Sequence, residues 1–194
     1  YTYPGDPVYT SARPADLLGG RVFVTGGALR VTLRMPEIRT DWNPANGFDH
    51  VAFTLYIQRP GQPGGLAVMP QQDGELPDGM RWHRRVRAHG WSNVMTSSDG
   101  ADARSEGTVL PVAPVLEVDR ENATVTFTFP ANTLGVGDLT GTRVYITTWD
   151  YDGGYRAVRP ESSMHAFGGA PVGSPKVMDA MTFVVPDVSP RSYD

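Results

Sequence analysis

Three short stretches place flat aromatic rings beside small amides and carboxylates: Trp42-Asn43-Pro44-Ala45-Asn46-Gly47, Gly90-Trp91-Ser92-Asn93 and Trp149-Asp150-Tyr151-Asp152-Gly153-Gly154-Tyr155. A sugar presents an apolar C–H face and a rim of hydroxyls. A surface that receives one therefore needs a rigid aromatic plane with hydrogen-bonding groups beside it, and tryptophan offers the largest plane. Trp42, Trp91 and Tyr155 are the candidate platforms, with Asn46, Asn93 and Asp152 as partners for hydroxyls. Trp149 and Tyr151 complete the candidate surface in the third stretch. The competing reading of each ring is that it belongs to the core or covers a sheet edge.

Catalytic chemistry is harder to find. Nucleophile elbows, phosphate-binding loops, dinucleotide fingerprints and helical His-Glu metal motifs are all missing. Asp150 and Asp152 could serve as the paired carboxylates of glycoside hydrolysis. The same two aspartates, set among glycines, could instead hold a structural calcium ion. The plainer reading is an Asp-rich turn whose side chains cap their own backbone. His83 and His89 would share a face of one straight strand, which leaves a metal site as a minor reading. No metal or other cofactor is assigned.

The elements that must position these stretches read as strands. Leu29, Val31, Leu33 and Met35 alternate with polar residues, as do Val125, Phe127 and Phe129. Val51, Phe53, Leu55 and Ile57 form one face of a third strand, and Val144, Ile146 and Thr148 one face of a fourth. Weaker candidates are Arg21–Val24, Trp82–His89, Val115–Val118 and Ala180–Val185. Gly26-Gly27, Pro60-Gly61, Asp99-Gly100 and Gly153-Gly154 supply turn chemistry between them. Asp119-Arg120-Glu121-Asn122 reads as a hairpin turn and Pro60–Gly79 as a long loop. The one helical turn expected is at Ala131–Leu134. Eight or more short strands with almost no helix predict an all-β, antiparallel sandwich. Residues 1–186 read as a single module and 187–194 as a flexible C-terminal tail.

Composition narrows the partners. A net charge of −4 argues against nucleic acid. The basic cluster Arg81, Arg84, Arg85 and Arg87 reads as the solvated face of a strand. With 0 cysteines, thiol catalysis, disulfides and Cys-type zinc sites are excluded. No apolar run is long enough to cross a membrane as a helix, and none reads as a signal peptide. The opening Tyr1-Thr2-Tyr3-Pro4, with no methionine, reads as the start of a processed or excised piece of a longer protein.

The ordered motifs resemble the C-terminal DOMON-like binding domain of bacterial glucodextranases, pullulanases and amylases. Tyr1-Thr2-Tyr3-Pro4 is similar to the family's Tyr-x-Tyr-Pro, which follows an acidic lead-in. Asn46-Gly47-Phe48 with Phe53–Ile57 resembles its Asn-Gly-Phe turn entering a strand, and Gly90-Trp91 its Gly-Trp strand end. Asp152–Pro160 resembles its Asp-Gly-Tyr segment running to Arg-Pro. Phe167-Gly168-Gly169 and Pro175–Asp179 are similar to its closing motifs. The resemblance implies an immunoglobulin-like sandwich that is secreted, or held at the cell surface or in the periplasm. It implies a non-catalytic carbohydrate-binding module for α-glucan, carried in one chain with a catalytic glycoside hydrolase domain. The alternative is a structural accessory domain that packs on the catalytic domain without a ligand of its own. DOMON-type sandwiches that hold haem make Met164 and His165 nominal haem ligands.

Overall fold

The computed structural model describes residues 1–186; the tail expected over 187–194 lies outside the described residues. One short helix, α1 (Pro7–Ala12), precedes fourteen strands. The four-stranded sheet runs β1 (Gly19–Thr25), β2 (Ala28–Arg34), β10 (Thr124–Phe129), β9 (Val115–Asp119). The six-stranded sheet runs β14 (Asp179–Val184), β11 (Arg143–Trp149), β3 (Ala52–Gln58), β6 (Arg84–His89), β7 (Ser92–Ser97), β8 (Thr108–Val109). Every pair within these two sheets is antiparallel. Two short pairs lie in the connections: β4 (Val68–Met69) with β5 (Gly74–Glu75), and β12 (Ala157–Val158) with β13 (Ala166–Phe167), the latter parallel. The architecture is the expected all-β sandwich. No helix among the described residues is long and apolar enough to cross a membrane.

The core follows from the period-two pattern. Leu29, Val31 and Leu33 of β2 and Val125, Phe127 and Phe129 of β10 face Phe53, Leu55 and Ile57 of β3 and Val144 and Ile146 of β11. Phe53 meets Phe127 edge-to-face at 5.8 Å across the sandwich. Each such ring or branched chain taken from water contributes about 1.5–3 kcal/mol, which is what clamps the sheets together. The helix was expected at Ala131–Leu134, where the chain forms only turns. It forms instead where Asp6 caps it, accepting a hydrogen bond from Val8 N at 2.9 Å, with Pro7 preset in the first turn. Asp-Pro was the available signal. The expected long loop over Pro60–Gly79 contains the β4–β5 hairpin.

One expectation is overturned outright. Arg85 and Arg87 do not lie on a solvated strand face; both are buried on the outer side of β6. The outer side of the six-stranded sheet also buries Thr54, Tyr56, Thr147 and Trp149, because the connecting segments fold back over it. Two satellite clusters form there, one around Tyr56 and Trp82 and the other around Trp149 and Phe167. Buried guanidinium groups need an anion, and Glu106 provides it. Arg87 Nε and Nη2 donate to its two oxygens at 2.7 and 3.1 Å, and Arg85 Nη1 lies 3.1 Å away. Burial alone would raise the Glu106 carboxyl, but the hydrogen bond from Arg87 and the charges of both arginines outweigh it and hold the group below its usual value.

A depressed folded-state pKa means that the unfolded chain binds more protons, so this carboxylate stabilises the fold above about pH 4.5 and the benefit fades as pH falls further. Glu106→Gln is expected to flatten that acid limb of the stability–pH curve, measured by urea unfolding between pH 7 and pH 3. Glu106→Ala leaves two buried cations unpaired and is expected to cost about 3–5 kcal/mol at pH 7.

Candidate functional site

Two of the three aromatic stretches meet because of a glycine. The β6–β7 hairpin turns on Gly90-Trp91 alone, so Ser92 and Asn93, expected in a loop, already belong to β7. A Cβ on Gly90 would lie 2.7 Å from Phe48 O and 2.8 Å from Pro44 Cβ. Only a residue without a side chain lets the 42–48 segment lie this close. Asn46 then fastens the contact: its N–H donates to Gly90 O at 2.8 Å and its Nδ2 to His89 O at 2.7 Å. The result sets the Trp42 and Trp91 rings nearly parallel, at 27°, with centroids 6.3 Å apart. They are 55% and 53% exposed, whereas Trp82 and Trp149 are fully buried.

The platform rests on a built support. His50 stacks on Trp42 at 3.9 Å, and its Nδ1 lies 2.6 Å from Asp49 Oδ1. Asp49 Oδ2 accepts from Trp42 N at 2.8 Å. His50 holds a left-handed backbone, φ 62°, which costs a residue with a Cβ of this size about 1 kcal/mol or more. The imidazole also meets Tyr9 edge-on at 5.3 Å. Asp41, Asp49 and His50 lie within metal-ligand distance of one another. The carboxylate of Asp41 is paired with the Arg39 guanidinium at 2.8 Å, which already meets its charge.

The third stretch closes the other side. Trp149 Nε1 donates to Arg156 O at 2.8 Å, and Asp152 N donates to Gly154 O at 2.9 Å, folding residues 149–156 into a tight hairpin. Asp150 is buried inside it. Tyr9 Oη donates to its Oδ2 at 2.6 Å, Arg156 pairs with the same carboxylate, and Tyr151 N donates to Oδ1 at 2.9 Å. With both oxygens engaged and its charge met by Arg156, Asp150 is a structural anchor rather than a calcium ligand or a catalytic acid. Met164 and His165 lie exposed on the β12–β13 connection.

A pocket of about 290 Å³ lies where the three segments converge, lined by Trp42, Trp91, His89, Tyr151, Asp152 and Arg156 among others. Burial first, and the Arg87 charge second, push the His89 imidazole below its usual pKa, so the pocket presents it uncharged at neutral pH. His89 also stacks on Tyr151 at 4.8 Å, while the Arg87 guanidinium lies 4.2 Å from the same ring. His83 lies in a bend just before β6, so it does not share one straight strand with His89 as the spacing had suggested. Its Nδ1 accepts from Arg59 N at 3.1 Å.

The expected site residues thus separate by position. Trp42, Trp91, Tyr151 and Asp152 line the pocket. Asn46 ties its two halves together from behind. Trp149 and Tyr155 are interior, Tyr155 Oη lying 2.8 Å from Thr54 Oγ1 and accepting from Arg85. Asn93 turns to the inner side of the sheet, where Nδ2 donates to Pro114 O at 2.6 Å. His50 and Arg156 were not expected at the site and His89 was weighed only as a metal ligand with His83, since nothing local marks a histidine that will lie beneath a tryptophan.

A family model described as the C-terminal binding module, SLH-like, of glucodextranase matches residues 1–188. The chain belongs to that family. It is a non-catalytic β-sandwich binding module. Among curated proteins, none matches the chain. For this binding module, His50→Ala is expected to free the Trp42 ring at a cost of about 2 kcal/mol in stability, from the lost stack and hydrogen bond. Emission should shift to the red and acrylamide quenching should rise, and both changes should vanish in a Trp42→Phe background.

Proposed function

We propose that this module binds α-glucan and is carried beside a catalytic glycoside hydrolase domain in one secreted or surface-held chain. The observation that carries the reading is the exposed Trp42–Trp91 pair standing over a pocket whose other walls are polar. A ring held between two aromatic planes needs about 3.5–4 Å on each side, or about 7–8 Å in all. At 6.3 Å the two indoles are too close to sandwich a pyranose, and His50 covers one face of Trp42, so the pair serves as a platform through the surface each ring leaves exposed. Asp152 and the Arg156 guanidinium stand beside them as acceptor and donor for hydroxyls. The family description as a glucodextranase binding module supports a glucan and a hydrolase neighbour.

The same exposed pair also supports a second reading, a ligand-free accessory domain whose tryptophans are buried against the catalytic domain, since aromatic anchors are enriched at such interfaces. Native affinity gels containing soluble starch or dextran separate the two. Retardation is expected for the intact module. Trp42→Ala and Trp91→Ala should each lower affinity at least about tenfold, Trp91→Ala with little change in melting temperature and Trp42→Ala with a modest drop from the lost His50 stack. Asn93→Ala should do the reverse, costing stability and leaving retardation intact. A module that no glucan retards, and whose tryptophan emission no glucan alters, would support the accessory-domain reading instead.

A further inference from the structure

A second depression, of about 460 Å³, adjoins the tryptophan-lined pocket. It shares Asp152, Gly153 and Arg156 with the first and adds Gly154, Tyr155, Ala157 and His165. The two meet along the Asp152–Gly154 turn, which is held narrow by the Asp152 N–H bond to Gly154 O. Gly153 takes a left-handed φ of 66° there. A Cβ placed on Gly153 or Gly154 would find no atom within 4 Å. At Gly153 and Gly154 the crest between the depressions is therefore bare backbone bordering open space, with Asp152 at its base lining both sides. Close approach of a ligand to backbone is a recurring use of glycine.

The two depressions differ in chemistry. The first offers indole faces; the second offers the His165 imidazole, the Arg156 guanidinium and peptide groups, with the Tyr155 ring turned inward. One suits the apolar face of a sugar ring and the other suits hydroxyls. We propose that the site is a groove crossing the Asp152–Gly154 crest, and that its ligand is a linear oligosaccharide spanning both depressions rather than a single terminal unit. This rests on the sugar reading of the tryptophan pocket and extends it with a second subsite.

Gly154 provides the test, because it lines only the second depression and a Cβ placed there meets no protein atom within 4 Å. Isothermal titration with α-1,4- and α-1,6-linked glucose oligomers of two to seven units is the measurement. In the native module, affinity is expected to rise about tenfold between the disaccharide and the tetrasaccharide, the worth of one or two added hydrogen bonds. Gly154→Leu should keep the disaccharide affinity, which also reports an intact fold, and lose that rise. His165→Ala should lose part of it. An affinity that levels off at the disaccharide, or a Gly154→Leu variant that follows the native module at every length, overturns the groove while leaving the tryptophan subsite standing. Absence of binding at every length and linkage overturns both.

Discussion

Two arginines two positions apart on a central strand, both facing outward from the sandwich and both removed from water, set the terms for everything on that side of the molecule. Arg85 and Arg87 are tolerable only with a buried anion and with hydrogen-bond acceptors around them. Glu106 reaches them from the segment between β7 and β8, and Tyr155 Oη reaches Arg85 from the segment after β11. The loops thus pack onto the sheet by polar contacts as much as by apolar ones. The four-stranded sheet has no such demand: its outer face alternates Arg, Thr and Glu half-exposed to solvent, and Arg30 pairs there with Glu117 at the surface.

The covering layer places the site. Arg87 lies against Tyr151, so the ion pair that anchors the 98–107 segment also fixes one wall of the pocket. Tyr9 joins the other supports, touching His50 beneath Trp42 on one side and bonding to Asp150 beneath Arg156 on the other. The rings divide into supports and surfaces: Tyr9, Trp149 and Tyr155 hold the loops from inside, while Trp42 and Trp91 face out. A platform ordered before a ligand arrives avoids the entropy of immobilising it on binding, about 0.5–1.5 kcal/mol for each side chain.

The sequence revealed the sandwich wherever apolar and polar residues alternate, as in β2, β3, β10 and β11. It misled at β6, because an arginine at every second position is the pattern of a wet strand face. The partner that makes it dry, Glu106, stands 19 residues beyond Arg87 in an irregular segment. Strand β7 was hidden because Ser92, Asn93, Thr96 and Ser97 carry no apolar period, and its pairing is imposed by β6. The aromatic stretches were legible from their turn residues. Which ring in each would be exposed was not: Trp42 and Trp149 have similar neighbours in sequence. Trp149 is buried by Phe167 and by Tyr1 at the other end of the chain, contacts with no local signature.

The balance of charge in the pocket favours an uncharged ligand. Asp150 and Arg156 cancel one another within the wall, and their hydrogen bonds to Tyr9 and to the Met164 carbonyl hold them in place. His89 is kept neutral by burial beside a cation. Asp152 is the wall's remaining carboxylate, and it is solvated. An ionic ligand would meet neither a concentrated opposite charge nor a dry cage. A polyhydroxylated ring would meet two half-exposed indoles, an exposed acceptor and a fixed guanidinium donor. Each of these contributes little alone. They act together because three segments, separated by about forty to sixty residues in the chain, are drawn to one end of the sheet by a glycine contact and a buried aspartate.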